Sequence, residues 1–341
     1  MKKVFVSLFT LGVLTFLIGS SVNAAEKNDI KLVNEHGISI TDNDFERLLN
    51  LGFTEEDIDL MTKEEYDLNK DLKGELITEE TKYYKTVEKL SPDQNQTLEK
   101  STELNFLYPS VESTLEETED IELTKEEYYN ELEKEKNIKS FGDGVGIMSN
   151  PDEVSTAYKT MTTSIYSLNN RNYRVANRLL WDKMPKTRSY DVNAITINDS
   201  QFRPISGSQY GKQSWNLYDW TIRASKTGSA TYNSESSYWK KSPSGYGTKM
   251  NLKNDTKREI RGSVQGEEVT YLSSYIYYSV NELNPGTESI LDAYGSYRHA
   301  IRSVSFNFGL GITYGFPSIS VSPSYESSFD GEINTQASKS I

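Results

Sequence analysis

The sequence predicts an α+β protein, with a small helical N-terminal unit ahead of an all-β, antiparallel, sandwich-like C-terminal domain. Three observations predict it. Thr-x-x-Asp/Glu spacings cluster early in the chain, period-two runs rich in Tyr, Ser and Thr fill its second half, and the charge changes sign between them. Residues 26–140 carry about −18 and residues 141–341 about +3, against −13 for the whole chain. Asymmetry of this kind points to units with different roles.

Residues 1–24 read as an export signal. Lys2 and Lys3 precede an apolar run from Val4 to Ile18, and Val22 and Ala24 supply the small residues that signal peptidase accepts. The run is about 15 residues, short of the roughly 20 that span a bilayer. The mature chain is expected to start at Ala25 or Glu26, outside the cell, released or held non-covalently on a surface. The absence of cysteine excludes disulfides, a lipid-modified cysteine, a thiol nucleophile and thiolate metal sites.

Residues 25–90 form the acidic helical unit. Thr41 with Asp44, Thr54 with Asp57, and Thr62 with Glu65 each place a hydroxyl acceptor three residues before an acid, the signature of a helix start. Phe45, Leu48, Leu49 and Leu51 make an apolar stripe, and Gly52 is a natural stop. The stretch 79–90 fits either a strand or a helix. Residues 91–150 read as an acidic linker, since 112–122 carries six carboxylates and no base and is too polar to order itself. Thr124 with Glu127 opens a charged helix to about Ser140, and the three glycines of 141–150 suggest a hinge. A piece starting near Asn150 is therefore expected to fold alone.

Residues 151–341 read as strands. The runs 159–168 and 173–181 flank Asn169-Asn170-Arg171-Asn172, a hairpin signal. Further runs at 190–198, 217–224, 247–253, 258–265, 269–280 and 301–326 alternate with turn residues, as in a sandwich or barrel.

Catalytic signatures are missing. The two histidines, His36 and His299, fall in different units, and no zinc helix, nucleophile elbow, phosphate loop or dinucleotide fingerprint occurs. No cofactor, metal site or nucleic-acid partner is expected. Asp182, Asp191, Asp219, Glu235, Glu267 and Glu268 could supply a glycosidase pair, yet no spacing selects two of them. Trp215, Tyr218, Trp220, Tyr238, Trp239 and Tyr246 are candidate ligand-binding aromatics, because flat rings beside polar groups hold sugars. The competing reading puts Trp220 and Ile222 on the core side of a strand with Asp219 facing out.

The remaining pattern is 304–326. Val304, Phe306, Phe308, Leu310, Ile312 and Tyr314 alternate with Ser305, Asn307, Gly309, Gly311 and Thr313, and after Phe316 the phase reverses to Ile319 and Val321. Such a hairpin suits a membrane strand pair, with lipid on one face and water on the other. A half-buried sandwich hairpin gives the same alternation. The leading expectation is a secreted, non-enzymatic interaction protein that binds an envelope glycan or another protein. The alternatives are a pore-forming or antimicrobial toxin with an acidic pro-region, which alone would engage a membrane, and a glycan hydrolase.

Overall fold

The computed structural model describes residues 29–89, 117–140, 153–185, 188–286, 288–301, 306–313, 316–321 and 329–341. The expected signal, residues 91–116 of the expected linker, and the glycine-rich 141–150 lie outside these. The described chain is mostly antiparallel strand with few helices.

The short strands β1 (Ile30–Val33) and β2 (Ser39–Thr41) pair and lead into α1 (Asp42–Asn50), α2 (Glu55–Asp59) and α3 (Lys63–Asn69). All three expected caps form. The Thr41, Thr54 and Thr62 hydroxyls accept the amides of Asp44, Asp57 and Glu65 at 3.1, 3.1 and 3.2 Å, and Asp57 returns a bond to the Thr54 amide at 3.0 Å. These are local contacts, each satisfying an orphan amide of a first turn.

The ambiguous stretch resolves as a strand. β3 (Gly74–Lys89) runs along β5 (Glu153–Leu168) over nearly its whole length. β4 (Glu117–Leu123) pairs with the other edge of β3, so the expected solvated linker contains a sheet strand. The acids of β4 are tolerated because it is an edge: Glu119 and Glu122 are exposed, while Asp120 turns in to a buried lysine. The charged helix forms as α4 (Lys125–Ser140) and docks through Tyr128 and Leu132, one turn apart, against Tyr158.

The β5 strand continues through Asn169–Arg171 into β6 (Asn172–Lys183), with Asn170 at φ 61° filling the left-handed position that asparagine tolerates. The main sheet has the order β10-β9-β15-β6-β5-β3-β4, where β9 is Tyr210–Asp219, β10 Ala224–Tyr232 and β15 Glu267–Glu282; β8 (Phe202–Pro204) pairs with the end of β15. A second sheet has the order β11-β12-β7-β16-β19, formed by Trp239–Ser242, Gly245–Asn251, Tyr190–Ile197, Ile290–Arg298 and Ile333–Ser340 respectively. One core cluster joins Val175, Ile276 and Tyr278 of the main sheet to Ile195, Met250 and Ala293 of the second.

The helical unit covers the opposite face of the main sheet. Phe45, Leu48, Phe53, Ile58 and Met61 pack on Tyr166, Tyr210, Tyr275 and Tyr277. This explains why seven consecutive residues of β15 are buried: the strand is covered on both faces. The same interface is ionic. Lys212 reaches Glu65 at 2.9 Å, Arg178 reaches Asp57 at 2.5 Å, and Arg174 donates to Asn69 and, at 3.2 Å, to the Leu51 carbonyl. Burial alone would raise the Asp57 carboxyl, but the Arg178 and Lys212 charges hold it at about 2. Two acids of the N-terminal stretch, Asp57 and Glu65, thus meet bases of the strands across this interface. The expected division at 150 cuts through the β3–β5 ladder.

Candidate functional site: a covered hairpin

β17 (Phe308–Thr313) and β18 (Phe316–Val321) form a sheet of their own. The register pairs Phe308 with Val321, Leu310 with Ile319 and Ile312 with Pro317, so the phase reversal in the sequence brings both apolar alternations onto one face. Gly309 pairs with Ser320 and Gly311 with Ser318 on the other face. Phe308, Ile319 and Val321 are buried, whereas Asn307 and Ser320 are exposed. Val304 and Tyr314 lie outside the described residues, and for Ile312 only the backbone pairing is described. The sandwich reading put this face in the gap between two sheets. The structure differs: the hairpin joins neither ladder and lies over the outer face of the second sheet.

Its floor is β7. Val192 and Ala194 point to the hairpin, with Ala300 and Phe329 beside them, while Ile195 and Ile197 point into the core between the sheets. Strand β7 is thus buried on both faces. Phe306, just before β17, meets Phe329 edge-on at 4.6 Å between ring centroids.

Three side chains pin the hairpin backbone. The Glu332 carboxylate accepts the Ile319 amide at 3.1 and 3.2 Å. The Arg298 guanidinium donates to the Ile319 carbonyl at 3.3 Å, and the Lys249 ammonium to the Phe306 carbonyl at 3.1 Å. At Ile319, side chains thus satisfy backbone groups that a neighbouring strand would otherwise pair. No sequence pattern marks Arg298, Lys249 or Glu332 for this role, since each acts on a distant backbone group.

A buried polar cluster lies behind the floor. Lys159 of β5, fully buried, pairs with Asp120 at 2.7 Å and Asp330 at 3.0 Å. Asp330 accepts the His299 amide at 2.8 Å, and Asp191 takes the His299 ring nitrogen at 2.9 Å, the Ala300 amide at 3.1 Å and the Tyr297 hydroxyl. Burial, with the Asp120 charge, pushes Asp330 up to about 7 despite Lys159 and His299. Burial lowers His299, but Asp191 outweighs it and the net direction is up. His299 and Asp191 are oriented as in a catalytic dyad, but the imidazole is buried against Trp181. The arrangement ties the end of β16 to β7, under the hairpin.

Of the other carboxylates of the glycosidase list, Asp219, Glu267 and Glu268 lie together, Glu267 opposite Asp219 in the β9–β15 ladder, while Asp182 and Glu235 stand apart. Asp182 accepts the Tyr128 hydroxyl at 2.7 Å, Asp219 and Glu267 share Lys226, Glu268 pairs with Lys257, and Glu235 sits in a turn.

The six aromatics fall into separate neighbourhoods. Trp239 and Tyr246 are core residues beneath the second sheet, and Trp215 is half-buried in another cluster. Tyr238 lies beside Tyr190 and Tyr232. Tyr218 and Trp220 meet edge-on at 4.9 Å. Strand β9 ends at Asp219, so Trp220 and Ile222 project from a turn, and it is Asp219 that is buried: the expected facing is reversed.

No family model matches the chain, and no curated protein matches it. Among solved structures it is similar to Clostridium perfringens delta-toxin, at 6% identity over 53% of this chain and 83% of that one, with a TM-score of 0.23. It is also similar to a pore forming protein, at 9% identity over 57% of this chain and 95% of that one, with a TM-score of 0.21. Overlaps of this quality do not define a shared fold.

Proposed function

We propose that the chain is an exported protein that permeabilises membranes by releasing the hairpin around residues 306–321 and inserting it. The observation that carries this reading is the hairpin itself: amphipathic across both strands, bonded by ladder only to its own partner, and laid over a sheet that is complete without it. Release breaks no ladder of the two main sheets. It uncovers a floor in which two of the named residues, Ala194 and Ala300, are small. Burying Phe306, Phe308, Ile319 and Val321 is worth about 6–12 kcal/mol at roughly 1.5–3 each, and a lipid interior keeps that gain because it too is dry. The described arms have six residues each. The alternation that begins at Val304 extends the first to the roughly 9–11 residues a membrane strand needs. One hairpin leaves both edges unpaired in lipid, so several copies must close a barrel, with at least about eight strands. The leader sequence supports export.

The interaction-protein reading rested on the aromatic group, which the fold disperses. Leakage of dye from phospholipid vesicles tests the proposal. Concentration-dependent release is expected, steeper than first order because copies must assemble. Intact vesicles at protein concentrations where binding saturates would refute it.

A further inference from the structure

A second surface stands apart from the hairpin. The β9–β10 turn, Trp220-Thr221-Ile222-Arg223, carries a tryptophan 37% exposed and an isoleucine 62% exposed. Bare apolar side chains on a rigid turn mark contact surfaces. This turn is held firmly. The Asp219 carboxylate accepts the amides of Thr221 and Ile222 at 2.9 and 3.4 Å, and the Trp220 amide donates to the Gly266 carbonyl at 2.9 Å. Arg223 sits at φ 53°, a left-handed position disfavoured for a non-glycine residue.

Gly266 also donates to the Thr221 hydroxyl at 3.0 Å, which joins the turn to the neighbouring hairpin of β13 (Arg258–Ile260) and β14 (Ser263–Gln265). That hairpin exposes Ile260, Arg258 and Arg261. The acids nearby are mostly committed. Asp219 and Glu267 hold Lys226, Asp255 holds Arg188, and Glu268 holds Lys257 and the Trp220 indole N–H at 2.8 Å. Among the described residues, Arg223, Arg258 and Arg261 make no ion pair, and the nearby acid that likewise makes none is Glu259.

We propose that this double tip is the site at which the protein first rests on a phospholipid bilayer. Trp220 and Ile222 enter the interface, and Arg223, Arg258 and Arg261 bind headgroup phosphates. An indole favours the headgroup level, with its ring in the apolar boundary and its N–H toward polar groups. Guanidinium forks match phosphate oxygens in pairs, and a surplus of positive charge is drawn to an anionic leaflet. The inference rests on the membrane reading above but uses different residues, so the two can fail separately.

The experiment measures flotation of the full chain with vesicles of phosphatidylcholine and phosphatidylglycerol, alongside dye leakage. The variants are Trp220→Ser with Ile222→Ser, and Arg223→Ser with Arg261→Ser. All four side chains are exposed, so circular dichroism should be unchanged. Each pair should lower vesicle partitioning by about tenfold or more, the arginine pair chiefly at low salt. Brominated lipid should quench wild-type fluorescence, and Trp220→Phe should remove most of that quenching while binding persists. Unchanged binding by both pairs would overturn this inference and leave the hairpin proposal standing. Binding through Trp220 without leakage would support the tip and refute the hairpin. Absence of vesicle binding by the wild type, or tip-dependent binding to a wall glycan in its place, would overturn the tip assignment.

Discussion

Replacing Glu332 with alanine removes the carboxylate that holds the Ile319 amide at 3.1 and 3.2 Å. A hydrogen bond to a charged group contributes about 1.5–3 kcal/mol. The other pins, Arg298 on the Ile319 carbonyl and Lys249 on the Phe306 carbonyl, remain, as does the apolar contact with Val192, Ala194 and Phe329. If the hairpin opens as a unit, losing 1.5–3 kcal/mol makes opening roughly 10- to 150-fold more frequent, since 1.4 kcal/mol is a factor of ten. Glu332 lies outside the core that joins the two sheets, so global unfolding should move far less. Hydrogen exchange read by mass spectrometry separates the two. Amides of 308–313 and 316–321 should exchange one to two orders of magnitude faster in Glu332→Ala, with those of β6, β7 and β15 unchanged, and the leakage rate should rise. Equal acceleration throughout the protein, or none, would refute the reasoning, because the hairpin would then open only with the whole fold.

Three further outcomes follow from the same contacts. Phe308→Asp puts a charge on the buried face of the hairpin. The two main sheets should stay folded by near-ultraviolet circular dichroism, while insertion is lost, since a charge facing lipid costs about 2–4 kcal/mol near the midplane; cooperative unfolding would instead make the hairpin part of the core. Asp57, held at about 2 against a usual 3.8, adds stability that is present above pH 4 and lost as pH falls through about 2. The shift corresponds to about 2 kcal/mol. Asp57→Asn should flatten acid denaturation in that window, whereas Asp330, raised to about 7, works the other way and disfavours the fold as pH rises from about 4 to 7. A chain starting at Asn150 should be insoluble, because it bares the edge of β5 and uncovers the face of Tyr166, Tyr210, Tyr275 and Tyr277 on which the helices pack; a soluble, cooperatively folding fragment would contradict the interface described above.

What could be read in the sequence was local. The caps at Thr41, Thr54 and Thr62 depend on residues three apart, and the alternation from Phe306 to Val321 depends on residues two apart. The caps form as expected, and the alternation holds at the described side chains, with Phe306, Phe308, Ile319 and Val321 buried and Asn307 and Ser320 exposed. The position of the hairpin was not legible, because alternation states that one face is apolar and not which surface covers it. Strand β4 was hidden for a related reason. Its acidic composition argues for solvation, and what orders it is the ladder to β3 and the bond from Asp120 to Lys159, 39 positions away. For the aromatic group, nearness along the chain is not nearness in space. Trp220 sits at a turn, Trp239 is the buried residue of the edge strand β11, and Tyr246 lies on the next strand, facing the core. The charge asymmetry is legible as a count, but where its charges meet is not: Asp57 and Glu65 pair with Arg178 and Lys212 at the face where α2 and α3 dock.

The central claim is that the hairpin around residues 306–321 leaves its floor and spans a bilayer with its apolar face to lipid. Because the chain has no cysteine, single substitutions can each carry one environment-sensitive fluorophore. Labels at Phe308→Cys, Leu310→Cys and Ile319→Cys face one side of the hairpin, and labels at Gly309→Cys, Ser318→Cys and Ser320→Cys face the other. On addition of leaking vesicles, the first set should shift to blue emission and be quenched by lipid-borne quenchers. The second should keep an aqueous spectrum and respond to soluble iodide. Emission that is unchanged by vesicles in all six, or that shifts without alternation, would contradict the account.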